Sequence, residues 1–305
     1  MKYLITGHNG FIGQTYIKHL LEKESASNIL GLSRSKGLDR YDINEKIIEL
    51  TDERLSEEIA AFAPDVIIHL ASSRFGALEN LFLSNVKATE NLLNAVLKIN
   101  KPVKIIIIGS SAEIGLPIKN PSSENDKCNP VDYYGLTKLM QSELAHQYYL
   151  KHNIEVIRLR LFNILGVGMP DSLLAGRAIK LFHETLISKD SQAIQFGDLS
   201  SYRDYLDKRD LCSAIDLSIL HGKAGELYHI GSGIKTQGTH LINQIIATCP
   251  DKLYDFQYHF DSDKKSLVPH QIADVSKAKN DLRWEPSFSL NDTLTWMWNH
   301  LLNSE

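Results

Sequence analysis

Tyr3-Leu4-Ile5-Thr6-Gly7-His8-Asn9-Gly10-Phe11-Ile12-Gly13 decides the fold of this chain. An apolar run enters three glycines spaced three apart and leaves them as a segment with Phe11, Ile12, Ile17, Leu20 and Leu21 on one helical face. Strand, glycine turn and helix in that order make a phosphate cradle. Gly7 permits the tight turn, Gly10 lets a pyrophosphate approach bare backbone, and Gly13 lets the helix pack on the strand. The free N–H groups at the helix start face the phosphate, so Asn9, Phe11 and Ile12 join the glycines as candidate cofactor-binding positions. Its place after an N-terminal strand separates this triplet from glycines that merely serve turns.

Outward from the cradle, short β-branched runs alternate with helical periods. Parallel strands are predicted over 3–6, 28–33, 46–50, 66–70, 103–109 and 155–161. Val66-Ile67-Ile68 and Ile105-Ile106-Ile107-Ile108 are apolar on both faces, as central strands covered by helices must be. The fold class is therefore α/β, a doubly wound parallel sheet of the Rossmann type. Residues 1–163 form a dinucleotide-binding domain, with a returning segment near 204–222. From 164 to 305 the pattern mixes helices over 173–188, 208–220, 239–247 and 291–302 with short strands around Ile194 and Tyr228. This part reads as a smaller mixed α/β substrate-binding domain. The long loop 117–130 follows the carboxyl end of a strand, where ligands bind in this architecture.

Composition narrows the function. The 305 residues are 43% hydrophobic and 23% charged, an ordinary globular balance, and the net charge of −4 leaves no footprint for nucleic acid. Three widely spaced cysteines suit a reducing compartment, and neither they nor the histidines have metal-ligand spacing. No apolar run approaches the roughly 20 residues of a membrane span. A cytoplasmic location without a membrane partner is expected.

The second strand bears on which dinucleotide. An NAD site usually ends this strand with Asp or Glu for the ribose hydroxyls. Here it ends Gly31-Leu32-Ser33-Arg34, and Asp39 and Asp42 lie too far on for that role. Arg34 suits a 2'-phosphate, where a charge-assisted bond of ~1.5–3 kcal/mol gives a preference of roughly tenfold to a hundredfold. NADP(H) is the expected cofactor. NAD is the alternative if Arg34 only stacks on adenine.

Tyr134-Gly135-Leu136-Thr137-Lys138 carries the candidate chemistry. On a helix, Tyr134 and Lys138 share a face, so the ammonium is expected beside the phenol, drawing its reference pKa of ~10 toward working pH. Upstream, the strand over 103–109 runs into Ser110-Ser111-Ala112-Glu113, which sets a hydroxyl at the sheet's carboxyl edge.

Glycine triplet, strand-end serine and Tyr-x-x-x-Lys, in that order, resemble the short-chain dehydrogenase/reductase superfamily, in its extended branch acting on nucleotide sugars. The likeness extends through His69-Leu70-Ala71, Asn85-Val86, Arg160-Leu161-Phe162-Asn163 with Gly166, Arg203-Asp204-Tyr205 with Asp210, and Ile230-Gly231-Ser232-Gly233. It closes on Leu282-Arg283-Trp284-Glu285-Pro286, with arginine where glycine is usual, while His229 stands where asparagine is usual and is read as packing.

The resemblance implies that Ser111 polarises a sugar carbonyl, Tyr134 exchanges a proton with it, and Lys138 binds the nicotinamide ribose. Ser110 is the alternative hydroxyl. Ser33, Leu70 and Ala71 fall among the cofactor contacts. Ser110, Glu113, Asn163, Arg177 and Arg203 fall among the substrate contacts, the last three on the diphosphate. Ala112 breaks the Asp-Glu pair of the dehydratases. Glu113 in place of cysteine, and no histidine within Gly166–Pro170, disfavour double epimerisation.

What remains looks closest to the GDP-4-keto-6-deoxymannose reductases, with NADPH-dependent reduction of a C4 carbonyl on a nucleotide-diphosphate sugar. A C4 epimerase with tightly bound NAD is the alternative. A noncatalytic dinucleotide-binding subunit is the third, disfavoured by the intact Ser111, Tyr134 and Lys138. The nucleotide base, hexose or heptose, and the C4 stereochemistry stay open. The family further implies a role in polysaccharide biosynthesis and a homodimer built on the 81–99 helix and the Tyr134 helix.

Overall fold

Every residue of β1 (Tyr3–Thr6) is buried, as an apolar strand covered on both sides requires. The computed structural model describes residues 1–36, 41–189, 193–251, 254–261 and 265–303. After β1 come α1 (Phe11–Leu21), β2 (Ile29–Ser33), β3 (Asn44–Ile47), α2 (Leu55–Phe62) and β4 (Val66–His69). A helical run follows, α3 (Leu78–Leu81) and α4 (Ala88–Val96) joined by a π-helical turn over Phe82–Lys87, then β5 (Lys104–Ser110), α5 (Tyr133–His152) and β6 (Glu155–Leu161). Beyond β6 the strands shorten: β7 (Asn163–Leu165), α6 (Leu174–Ser188), β8 (Ile194–Phe196), β9 (Tyr202–Arg203), β10 (Tyr205–Asp207), α7 (Lys208–His221) and β11 (Leu227–Ile230). The chain closes with β12 (Thr236–Gln237), α8 (Gly238–Thr248), β13 (Tyr258–Phe260), β14 (His270–Gln271) and α9 (Leu290–Leu302).

Seven parallel strands form the main sheet in the order β11-β6-β5-β4-β1-β2-β3. The winding reverses between β1 and β4, and a doubly wound sheet opens its ligand crevice at that reversal. Side-chain alternation divides the core in two. Tyr3, Ile5, Ile106 and Ile108 pack with Tyr16 and Ile17 of α1 and Leu211 and Ile215 of α7. Leu4, Ile67, Ile105 and Ile107 pack with Ile59 of α2, Leu92 of α4 and Ala145 of α5. A separate core joins Phe182 of α6, Leu241 of α8 and Trp298 of α9. Among the described residues no helix is long and apolar enough to cross a membrane.

Two strands differ from the sequence reading. The apolar residues Ile47, Ile48 and Leu50 draw the third strand to 46–50, yet it pairs over Asn44–Ile47, with Ile48 and Leu50 buried just beyond it. This is the sheet's edge, where polar side chains are tolerated and the apolar pattern marks the packing instead. The strand at Tyr228, expected in the smaller domain, pairs with β6 and completes the main sheet; all its residues are buried.

Asp204, between β9 and β10, ties the later segments together. Its carboxylate accepts from the Ser232 N–H (2.6 Å) and hydroxyl (2.7 Å), the Gly233 N–H (2.9 Å) and the Ala273 N–H (3.1 Å). Burial pushes this carboxyl's pKa up, and the donors oppose the shift. Asp204→Ala strands three backbone donors, so urea denaturation is expected to show a loss of about 3 kcal/mol or more.

Candidate active site

Gly7 has φ +68°, and a Cβ there would stand 2.8 Å from the Ala71 nitrogen. At Gly13 a Cβ would meet the Gly7 oxygen at 2.4 Å and the His8 oxygen at 2.5 Å, so α1 docks only with glycine here. Gly10, the N-cap of α1, is different: its nearest obstacle is the Gly7 oxygen at 3.2 Å, and its φ of −75° suits any residue. The protein alone makes little demand for glycine at position 10. A phosphate approaching the bare N-terminus does, and no acidic residue in the first turn of α1 opposes one.

A cleft of about 740 Å³ opens beside this turn, lined by Gly7, Asn9, Gly10, Ser33, Arg34, Leu70 and Ala71 from the expected cofactor set. Phe11 and Ile12 open α1 next to it. The Asn9 amide donates to the Ser33 hydroxyl (3.0 Å) and the Ser35 oxygen (2.9 Å), binding the glycine turn to the end of β2 where Arg34 is exposed. Asp39 lies outside the described residues. Glu49, Leu50 and Phe75 also line the cleft and escape sequence reasoning. Their signal was positional, since Glu49 and Leu50 follow the strand beside β2. The cleft and its open N-terminus fit a dinucleotide.

The tyrosine reaches the sheet edge through close packing. Asp132 caps α5 by accepting from the Gly135 N–H (2.7 Å), and a Cβ at Gly135 would stand 2.3 Å from the Ala112 oxygen. The start of α5 therefore lies directly on the 111–113 turn. Of the two serines, Ser110 is the one whose side chain acts on the Tyr134 phenol, favouring its charged form, and its hydroxyl also accepts from the Ala112 N–H (3.2 Å). Ser111 is 6% exposed and donates to the Gln271 Oε1 at 3.0 Å, while Gln271 Nε2 donates to the Ser111 carbonyl at 2.7 Å.

Glu113 departs from its expected place on the substrate. It is 0% exposed, accepting from Arg160 Nε (2.8 Å) and the Ser110 N–H (2.7 Å), with Gly109 leaving room for its carboxylate. A buried carboxylate needs such a partner, and both oxygens are used in holding the turn. His229 packs as expected, its Nδ1 3.0 Å from the Ser122 oxygen and its pKa pushed down to about 3, chiefly by burial.

The expected pairing of Tyr134 with Lys138 also needs correction. Lys138 is buried, and its ammonium donates to the Ile108 oxygen (2.6 Å) and to Gln141 Oε1. Burial brings its pKa down to about 8, with Glu113 opposing. The phenol's pKa is raised, not lowered. Desolvation is the largest cause, and the Ser110 side chain and the Arg74 charge act against it. The Arg74 guanidinium lies 5.9 Å from the Tyr134 ring centroid and 5.7 Å from that of Phe75. Sequence reasoning missed Arg74, whose one signal was its place in the loop after β4.

Further along, Asn163 Nδ2 donates to the Asp204 carbonyl (2.9 Å). Arg203, half-buried, donates to the Tyr202 carbonyl (2.8 Å) and the Ser266 hydroxyl (3.0 Å), and burial lowers its pKa. The pairing of β7 with β10 brings Asn163 near Arg203, whereas Arg177 is exposed on α6.

The family model for NAD dependent epimerase/dehydratase proteins matches residues 3–231. The chain belongs to that family. It is 27% identical to the GDP-6-deoxy-D-talose 4-dehydrogenase of Aggregatibacter actinomycetemcomitans, covering 92% of this chain and 91% of that one. It is 28% identical to the UDP-glucose 4-epimerase of Mycoplasma pneumoniae, covering 96% and 94%. Its fold matches that of RMD from Pseudomonas aeruginosa complexed with NADPH, with a TM-score of 0.85 at 20% identity and all of both chains covered.

The two later glycines should part company in a calorimetric test. Gly10→Ala is expected to keep its stability within about 1 kcal/mol and lose dinucleotide affinity by about tenfold or more. Gly13→Ala is expected to destabilise the fold itself by several kcal/mol, ~1–3 or more, through overpacking.

Proposed function

We propose that this protein reduces the C4 carbonyl of a nucleotide-diphosphate 4-keto-6-deoxy sugar, with NADPH as reductant. The observation that carries the reading is the Tyr134 phenol, whose pKa is raised by burial, beside the Ser110 hydroxyl and the Arg74 guanidinium. A phenol kept protonated is prepared to give a proton to a carbonyl oxygen. Relatives support the substrate class: a 4-dehydrogenase of a GDP-6-deoxy sugar, written backwards, is a C4 ketoreduction. Arg34 at the cleft rim supports NADPH over NADH through its match to a 2'-phosphate.

Bound NADPH would supply the hydride to C4. Tyr134 would donate its proton to the C4 oxygen, so that the ketone gains a hydride and a proton and leaves as an alcohol. A neighbouring hydroxyl would hydrogen-bond the same oxygen. Motif comparison points to Ser111 for that role, and the geometry favours Ser110, because the Ser111 hydroxyl is engaged by Gln271. Lys138 would hold the nicotinamide ribose, with Asn163, Arg203 and Arg177 on the sugar-nucleotide diphosphate. The same reading includes a homodimer, for which Leu83 in the π-helical turn and Leu136 and Met140 on α5 offer exposed apolar surface.

A C4 epimerase with tightly held NAD is the second reading, favoured by the likeness to a UDP-glucose 4-epimerase. Absorbance at 340 nm with GDP-4-keto-6-deoxymannose and either NADPH or NADH separates the two. Stoichiometric NADPH oxidation is expected; no oxidation, with NAD released on denaturation and UDP-hexoses interconverted, would replace the reductase by the epimerase. Tyr134→Phe should lower kcat by ~10²–10⁴ with NADPH affinity nearly unchanged. Ser110→Ala should lower it by ~10²-fold and Ser111→Ala by less, the reverse order reinstating Ser111. Arg34→Ala should erase the roughly tenfold to hundredfold preference for NADPH in kcat/KM.

A further inference from the structure

We infer that Gln141 is a positioning residue for Lys138: its amide fixes the ammonium against the Ile108 carbonyl and couples it, through Thr89 and His69, to Thr6 at the entrance of the glycine cradle. The inference rests on the reading of Lys138 as a working group of the proposed reaction.

Gln141 is 1% exposed, one helical turn beyond Lys138 on α5. Its Oε1 accepts from the Lys138 ammonium and its Nε2 donates to the Thr89 hydroxyl at 2.8 Å. Thr89 in turn donates its single hydrogen to the Asn85 carbonyl at 2.7 Å. That fixes both of its other contacts as acceptors. The amide of Gln141 must therefore present nitrogen to Thr89 and oxygen to the ammonium, and His69, with its Nε2 2.9 Å from Thr89 Oγ1, must donate there. His69 Nδ1 is then the acceptor for the Thr6 hydroxyl at 2.7 Å, and Thr6 accepts from the Ala71 N–H at 3.2 Å. Burial, with the nearby Lys138 charge, lowers the His69 pKa to about 3 and keeps it neutral, in keeping with this tautomer.

Each member of the chain has one direction available to it, so the ammonium cannot shift without breaking a bond at Gln141. An ammonium carries three donors. Ile108 and Gln141 take two and leave one for a ligand. The groups bearing on the ammonium are Glu113 from the 111–113 turn and the neutral His69 from β4, while Tyr134 stands one turn earlier on α5. Gln141 is the uncharged group that holds it from within its own helix.

The sign of the effect follows from burial. The pKa of Lys138 is already lowered to about 8, so its charge is present below that pH and lost above it. Removing an acceptor that favours the charged form lowers it further. In Gln141→Met the Lys138 titration should fall by about 1–2 pH units, the worth of a charge-assisted hydrogen bond. In Gln141→Glu it should rise above the native midpoint.

The titration is read by NMR on the whole protein labelled at lysine Cε, with the Lys138 signal assigned as the one missing from Lys138→Arg. This needs no substrate. An unmoved midpoint in folded Gln141→Met overturns the inference, and if that variant does not fold, an unmoved or lowered midpoint in Gln141→Glu does so instead. In turnover assays the alkaline limb of the kcat profile for Gln141→Met should move with the midpoint, with the KM for the sugar nucleotide within about twofold of native. Failure of every nucleotide sugar to react would remove the reductase reading and leave the titration result standing.

Discussion

The close approach of β1 and β4 at their carboxyl ends is the constraint on which the site depends. Thr6 lies beside His69 in register, and the next residue, Gly7, passes so near Ala71 that a side chain would overlap the backbone. Here the sheet changes direction, so the helices after β1 and β4 leave on opposite faces and a crevice opens between them. The main-sheet cores on the two faces follow from the same winding, because each strand must bury one set of side chains under each helical layer. Gly13 completes the arrangement by letting α1 rest on the turn.

Buried charge provides a second level of organisation. Glu113 and Arg160 join the 111–113 turn to β6, and Asp204 joins the β9–β10 segment to residues 232–233 and 273. Removing either partner of the Glu113–Arg160 pair leaves an uncompensated charge, and removing Asp204 leaves buried donors unsatisfied, so these contacts fix where segments sit. Both lie where the strand ends of the main sheet meet the smaller elements that follow. The turn bearing Ser110 is thus held from behind by a carboxylate, while the Ser110 hydroxyl accepts from the Ala112 N–H within the turn.

What the sequence made legible was whatever had a local physical signature. The apolar strands, the glycine turn and the helices over 174–188, 208–221, 238–248 and 290–302 appear close to their expected bounds, because burial and periodicity are written into neighbouring residues. The strand at Tyr228 was legible as a strand, but its partner was not, since pairing with β6 is a long-range fact. The same distinction holds at the site. Tyr134, Lys138 and the strand-end serines are visible as a motif, yet the direction each side chain takes depends on residues remote in sequence: Gln271 for Ser111, Arg160 for Glu113, and Thr89 with Gln141 for Lys138. Arg74 belongs to no motif and emerges only when β4 and α5 are seen together.

Burial favours the neutral form of every titratable group, and at Tyr134 and Lys138 the result differs in kind. For the phenol it secures the proton; for the ammonium it brings loss of charge down to about pH 8. Near neutrality the pair is therefore a protonated phenol and a charged amine one helical turn apart. A phenol that gives up its proton in a dry site leaves an anion with little water to stabilise it, and the cost must be met by fixed charge or dipoles already in place. Arg74 stands over the ring and bears on the phenol directly, whereas Lys138 lies deeper along the same helix, held by its own acceptors. Lys138 keeps its charge only below about pH 8, which makes the uncharged acceptors around it, the Ile108 carbonyl and the Gln141 amide, as much a part of the electrostatics as the charges themselves.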